Sequence, residues 1–239
     1  VPWDNMLGVA VIMGLVGLLL LIPLWPGEKQ GVKVLRRWGV PDPTPADVEE
    51  AVRYLRRRRL WYPWLFLGLP ALGGALGLGR LLDDGSFGVL TATLLLGGLI
   101  AEVLAQRPPK TRVREAALHR RGIRDFIPLW GLLAYAAVAA TTVGWLVSGR
   151  SWGMLVVAAV VTALTWLIIL LAVRRPSTGD SAVDGALRLR SARVAAGLGA
   201  AATAALTAPA TNLFTALLVL AGIAVWVNLA GGRRAVAAS

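Results

Sequence analysis

The stretch VRYLRRRRLWYPWLFLGLPALGGALGLG, residues 52–79, sets four consecutive arginines, Arg56 to Arg59, directly against twenty residues without a charge, Leu60 to Gly79. A bilayer's hydrocarbon core of about 30 Å is crossed by roughly 20 mostly apolar helical residues, so the second part of the stretch has the length of one pass. The arginines then belong at the cytoplasmic headgroup level. Trp61, Tyr62 and Trp64 beside them have the character of an interfacial aromatic belt, and Pro63 is the expected bend into the bilayer.

Working outward, the same pattern returns along the chain. Met6–Trp25 carries no charge, Phe87–Gln106 is interrupted only by Glu102, and Ile127–Gly149 and Ser151–Val173 are clean. Val194–Gly232 holds 39 residues without a charge, which as one helix would be ~58 Å long, close to twice the membrane thickness. Two passes are expected there, divided at TAPATN, Thr207–Asn212, where a proline sits among small polar residues. The composition agrees: of 239 residues 56% are hydrophobic and 16% charged, and mean hydropathy is +0.66. That is the profile of a membrane protein.

Lysine and arginine collect in cytoplasmic loops, which tests the number of passes independently. With the amino terminus outside, the inner segments 26–59, 107–126, 174–193 and 233–239 hold 23 of the 25 basic residues, leaving Arg80 and Arg150 outside. The expected fold is therefore an all-α integral membrane protein of seven transmembrane helices, N-out and C-in, with amphipathic basic cytoplasmic helices. The net charge of +12 follows from this topology and not from a nucleic-acid surface, since no RNA- or DNA-binding motif accompanies the arginines. Trp3, Trp145 and Trp152 fall at expected outer ends and Trp25, Trp61, Trp64 and Trp130 at inner ends, whereas Trp166 and Trp226 lie deeper, as packing residues would. The first span lacks a basic segment before it and a small-residue cleavage site after it, and is expected to be a retained helix. With no cysteine, disulfides and thiolate chemistry are excluded.

Three segments repeat a pattern: EAVRYLRRRR (50–59), EAALHRRGIR (115–124) and DGALRLRSAR (184–193) each run from an acid into a basic stretch that leads to a hydrophobic hairpin. The organisation expected is one membrane domain, 1–239, with a leading helix 1–25 and units at 44–107, 113–175 and 181–234, each a basic cytoplasmic helix plus a transmembrane hairpin. Positive-inside bias in a sequence rich in arginine and alanine also produces such matches. The first unit's cytoplasmic helix is best specified. Thr44 is its N-cap, Pro45 its first residue and Asp47 the reciprocal partner of a capping box, while Glu49 stands four residues before Arg53. Val48, Ala51, Val52 and Leu55 recur on one face, so the helix is expected in the headgroup plane with its arginines against anionic lipid.

Candidate contacts to lipid headgroups or to a partner protein are Arg56, Arg57, Arg58, Arg59, Arg120, Arg121, Arg190 and Arg193. Glu102, the one acid within an expected span, is a candidate intramembrane site by default; it also stands close enough to the cytoplasmic end to snorkel or to pair with an arginine. Thr141, Thr142, Thr162 and Thr165 lie in adjacent spans, where they either line a polar path or bond their own helix's carbonyls. Gly73 and Gly77 form a GxxxG pair, and VAAGLGAAATAAL (194–206) is so rich in alanine and glycine that it belongs inside the bundle. His119 has no second histidine or cysteine to complete a metal site, and no lysine lies within a span. Asp83 and Asp84 are the one acidic pair of the expected outer face, read as solvated. No P-loop, dinucleotide fingerprint, nucleophile elbow or paired intramembrane carboxylate is present, so no catalytic, cofactor or metal residues are assigned and no cofactor is expected.

The stretches LRRWGVPDPTPADVEEAVRYLRRRRLWYPWLFLGLPAL (35–72), REAALHRRGIRDFIPLWGLLAY (114–135) and DGALRLRSAR resemble uncharacterised multi-pass membrane proteins of actinobacteria. The resemblance implies a bacterial plasma membrane location and carries no activity. Three functions stay open on the sequence: a non-enzymatic accessory or scaffold subunit that docks a partner through its basic cytoplasmic helices, a permease or export component for a hydrophobic or amphipathic solute, and, least favoured for want of clustered acids, a lipid-modifying enzyme. Expected partners are membrane lipids, anionic ones foremost, and a membrane or cytoplasmic protein, with no nucleic acid.

Overall fold

The computed structural model describes residues 3–22, 25–75, 85–105, 122–174, 181–208 and 212–231, and among them it is helical without a strand. In chain order the helices are α1 (Trp3–Leu21), α2 (Glu28–Arg37), α3 (Pro45–Leu60), α4 (Tyr62–Ala75), α5 (Gly85–Ala105), α6 (Ile123–Phe126), α7 (Leu129–Ser148), α8 (Trp152–Arg174), α9 (Ser181–Ala205) and α10 (Leu213–Ala230). The charge-free runs of the sequence fall on α1, α4, α5, α7, α8, the second half of α9, and α10. Three of these, α7, α8 and α10, are long and apolar enough in their described residues to cross a membrane. α9 differs because its first half carries Asp184, Arg188, Arg190 and Arg193.

α9 is the centre of the bundle, with α10, α8, α5 and α7 packed around it. Its composition is the reason: from Val194 to Ala204 every residue is buried, and side chains this small let neighbouring backbones come close. A Cβ placed on Gly197 would lie 2.8 Å from the Trp226 Cα of α10, and one on Gly222 would lie 2.6 Å from the Ala204 Cβ of α9. TAPATN does separate two helices, α9 ending at Ala205 and α10 opening on an Asn212 cap that accepts from the Thr215 backbone N–H at 2.9 Å. Trp166 and Trp226 pack against core clusters. Trp25, Trp61, Trp64, Trp130, Trp145 and Trp152 are exposed.

At the other side of the molecule α1 packs on α4. Gly17 makes that approach, since a Cβ there would sit 2.6 Å from the Phe66 ring and 3.1 Å from the Pro63 Cα. α5 joins this pair to the bundle by packing on α4, α8 and α9. The Gly73/Gly77 pair lies outside the residues whose side chains are described, as do Asp83, Asp84 and His119.

α2 and α3 form an antiparallel pair beneath these helices. Thr44 caps α3 as its sequence requires: the Asp47 backbone N–H donates to its hydroxyl at 3.3 Å, and the Thr44 backbone N–H donates to the Asp47 carboxylate at 2.8 Å. Arg53 pairs with Glu49 at 2.6 Å. The apolar face of α3 is not turned to lipid, however. Val48, Ala51 and Val52 are closed over by Leu35 and Trp38 from the α2 end, together with Val183 and Ala186 of α9. What supplies this cover is α2, for which the sequence reading assigned no helix. Its Gly31 admits the α3 backbone, a Cβ there meeting the Val48 carbonyl oxygen at 3.1 Å, and Gly39 ends the turn with φ +111°, a conformation glycine adopts freely.

Removing the cap tests whether α3 is held by its own signals or by this cover alone. Thr44→Ala should cost about 1 kcal/mol, read as a lowered thermal midpoint of the purified protein in mild detergent, and Thr44→Ser should restore it.

Candidate functional site

Glu102 is fully buried in α5, near its C-terminal end. A carboxylate in such a place needs compensation by charge and hydrogen bonds, and three helices provide it. From α3, Arg58 Nε stands 2.7 Å from Glu102 Oε2, and Tyr54 donates its hydroxyl proton to Oε1. From α9, the Ser191 hydroxyl donates to the same Oε1. Arg190 completes the group, its Nη1 donating to the Tyr54 oxygen at 3.2 Å and its guanidinium lying 5.7 Å from the centre of the Tyr54 ring. Tyr54 and Arg58 reach one carboxylate because i and i+4 share a helix face. Burial, and then the negative charge of Glu102, push the Tyr54 hydroxyl well above its ordinary range, so it remains a donor. For Arg58 burial alone would favour loss of the proton, but Glu102 outweighs it and the guanidinium is held above its usual value.

Beside this cluster opens a groove of about 800 Å³. Its walls are apolar: Leu65 and Phe66 of α4, Val194, Leu198 and Ala201 of α9, and Ile223 of α10. Gly97 and Gly98 of α5 form its back, where the missing side chains leave room. One end is polar and basic, framed by Lys33, Arg37, Arg58 and Arg190 with Trp38 and Tyr62 among them. A volume of this size and an apolar lining with a few convergent polar groups are the usual properties of small-molecule sites.

The structure thus divides the eight candidate arginines. Arg58 is inside, in the Glu102 pair, and Arg190 is at its edge. Arg59 donates to the Gln30 side chain at 3.2 Å, and its partial burial lowers its pKa. Arg193, also lowered by burial, donates to the Phe126 carbonyl at 2.9 Å and lies over the Trp38 ring. Arg56 donates to the Pro26 carbonyl at 3.3 Å and lies over Trp25. Arg57 is exposed, and Arg120 and Arg121 fall outside the described residues. A run that reads as four equivalent headgroup contacts therefore points around a helix, and its members meet different neighbours.

The threonines meet different surroundings. Thr141 is exposed, Thr142 and Thr165 are buried, and the Thr165 hydroxyl donates to the Val161 carbonyl of its own helix at 2.8 Å. The Tyr135 hydroxyl is turned toward Thr162 and Thr165, and none of the four lines the groove. The residues that sequence reasoning missed are Tyr54, Ser191, Lys33 and Arg37. Tyr54 was signalled by its i, i+4 relation to Arg58; the others come from elements distant in sequence. No family model, curated protein or solved structure matches the chain.

Proposed function

We propose that the chain is a seven-span plasma-membrane protein, N-out and C-in, that takes a hydrophobic or amphipathic solute into this groove, as a permease or export component or a lipid-binding accessory subunit would, and is not an enzyme. The observation that carries the reading is the groove itself, an apolar trough along α9 and α10 closed at one end by cations. None of the described residues lining it is an acid or a histidine, and the nearby Glu102 is held by Arg58, Tyr54 and Ser191, which leaves it unsuited to act as a general base.

The direct test is purification in mild detergent followed by mass spectrometry of extracted small molecules. The protein is expected to carry an amphipathic compound in near-stoichiometric amount, and Ile223→Trp, which fills the groove from a partly exposed position, should remove it. Equal retention by that variant would reject the groove as the site. Topology has its own check. Single cysteines at Ser86 and Ser148 are expected to label from outside and one at Ser181 not to; labelling at 181 in intact cells would overturn the seven-span arrangement.

The scaffold reading retains one supporting feature. Arg53 and Arg57 project from the exposed side of α3, beside a shallow hollow of about 240 Å³ lined by Trp25, Val52, Arg56 and Leu60 among others. A cytoplasmic protein that co-purifies with the chain and is lost on Arg53→Ala/Arg57→Ala substitution would favour it.

A further inference from the structure

We infer that the occupant of the groove is a bilayer lipid with an anionic headgroup, its acyl chain lying along α9 and its headgroup held by Lys33, Arg37 and Arg190. This rests on the groove being the binding site.

Charge is the first argument. Four cations frame the cytoplasmic end, no acid is among the described residues that line the groove, and the nearby Glu102 is taken up by Arg58 at 2.7 Å. Two of the remaining three are positioned by neutral groups. Arg37 donates from Nε and Nη2 to the Gly231 carbonyl at 2.9 and 2.6 Å, and Arg190 donates to the Tyr54 hydroxyl. A carbonyl or a phenol orients a guanidinium without cancelling its charge. An anion arriving at this end therefore meets cations already aimed by the fold, and charge-assisted bonds from Arg to a phosphate or carboxylate are the strong ones.

Shape is the second. Val194, Leu198, Ala201 and Ala205 lie on the groove at successive i, i+4, i+7 and i+11 positions, a single stripe down α9, and Ala208 extends it. From Val194 to Ala208 the stripe is ~21 Å long at the helical rise, more than half of a ~30 Å hydrocarbon core. Leu65, Phe66 and Ile223 face it. Trp38 and Tyr62 stand where chain gives way to headgroup, the level such rings favour. A soluble anion has no use for a greasy trough of this length, and a neutral lipid offers no charge to the cations at its end. An anionic lipid lying parallel to the helices satisfies both ends.

The test titrates the full-length protein in detergent with two lipids of identical dioleoyl chains, phosphatidylglycerol and phosphatidylcholine, and counts bound lipid by native mass spectrometry. Wild type is expected to bind the anionic lipid about tenfold or more tighter than the zwitterionic one. Lys33→Gln/Arg37→Gln should bring the two within about twofold of each other, a change about as large as the loss of two surface cations warrants. Lys33→Arg/Arg37→Lys, which keeps the charges, should retain the preference; both positions are exposed, so folding is not at stake. Equal binding of the two lipids by wild type, or a preference untouched by the neutral double variant, overturns the headgroup assignment while leaving the groove. Ile223→Trp separates the two levels: it should abolish binding of both lipids, and if both still bind, the groove reading falls and this inference with it.

Discussion

Glu102→Ala is expected to lower the unfolding free energy of the protein by about 3–5 kcal/mol, the cost of removing one member of a buried ion pair and leaving the other in place. The geometry puts the variant at that end of the scale. Arg58 retains only 13% exposure of its side chain, so its guanidinium rehydrates poorly where it stands. Tyr54 and Ser191 each lose the acceptor of their hydroxyl proton at the same time, and a buried donor left without an acceptor is itself costly. The damage should be local to the junction of α3, α5 and α9. A double-mutant cycle makes the expectation specific: Arg58→Met alone should also destabilise, because it strands the carboxylate, whereas Arg58→Met combined with Glu102→Leu should recover most of the loss. The measurement is reversible unfolding of the purified protein, and a shift below about 1 kcal/mol for Glu102→Ala would show that water or lipid headgroups can replace Glu102 as the partner of Arg58. Because Arg190 hydrogen-bonds Tyr54, the single variant should also loosen one of the cations at the mouth of the groove.

That cluster shows where sequence reasoning reaches its limit. An isolated acid near the end of an apolar run has to find a partner, and the arginine-rich segments between the apolar runs were the natural place to look. Which arginine answers it depends on the azimuth of α3 relative to α5, a property of tertiary packing. The helices that announce themselves through continuous apolarity, α7, α8 and α10, were legible from hydropathy, and α3 was legible from its cap and its Glu49–Arg53 pair. α2 was not: seven of its ten residues are good helix formers, but a helix this short is marginal alone, and it is held where Leu35 and Gly31 are covered by α3. Its absence from the sequence reading turned the apolar face of α3 toward lipid, where the structure gives it protein. Of the two readings open for the threonines, the bond to their own helix holds for Thr165, whose hydroxyl donates to the Val161 carbonyl. Adjacent polar residues on a helix are about 100° apart, so Thr141 and Thr142 cannot both face one cavity. The groove was invisible because its walls come from α4, α5, α9 and α10, which are joined by no pattern along the chain.

Gly222→Val addresses the packing on which the groove depends, and is expected to cost about 3 kcal/mol or more, at the upper end of what overpacking usually does. Gly222 lies on the buried face of α10 with Thr215, Leu218 and Leu229. Its Cβ would meet the Ala204 Cβ at 2.6 Å, the Ala200 carbonyl oxygen at 3.0 Å and the Ala201 Cα at 3.2 Å. Two of those three are backbone atoms and the third is fixed to the backbone, so no rotamer change relieves the contact, and α10 has to move off α9 as a body. Gly144→Ala in α7 is the appropriate control, because its Cβ meets nothing within 4 Å and alanine is the better helix former, so it should leave stability unchanged or raise it by up to about 1 kcal/mol. The consequence for binding follows from the residues α10 carries. Ile223 adjoins Gly222 and Trp226 follows one turn later, and both line the groove. Displacing α10 should therefore weaken lipid binding for anionic and zwitterionic headgroups alike, in contrast to the neutral Lys33/Arg37 variant, which loses only the discrimination between them.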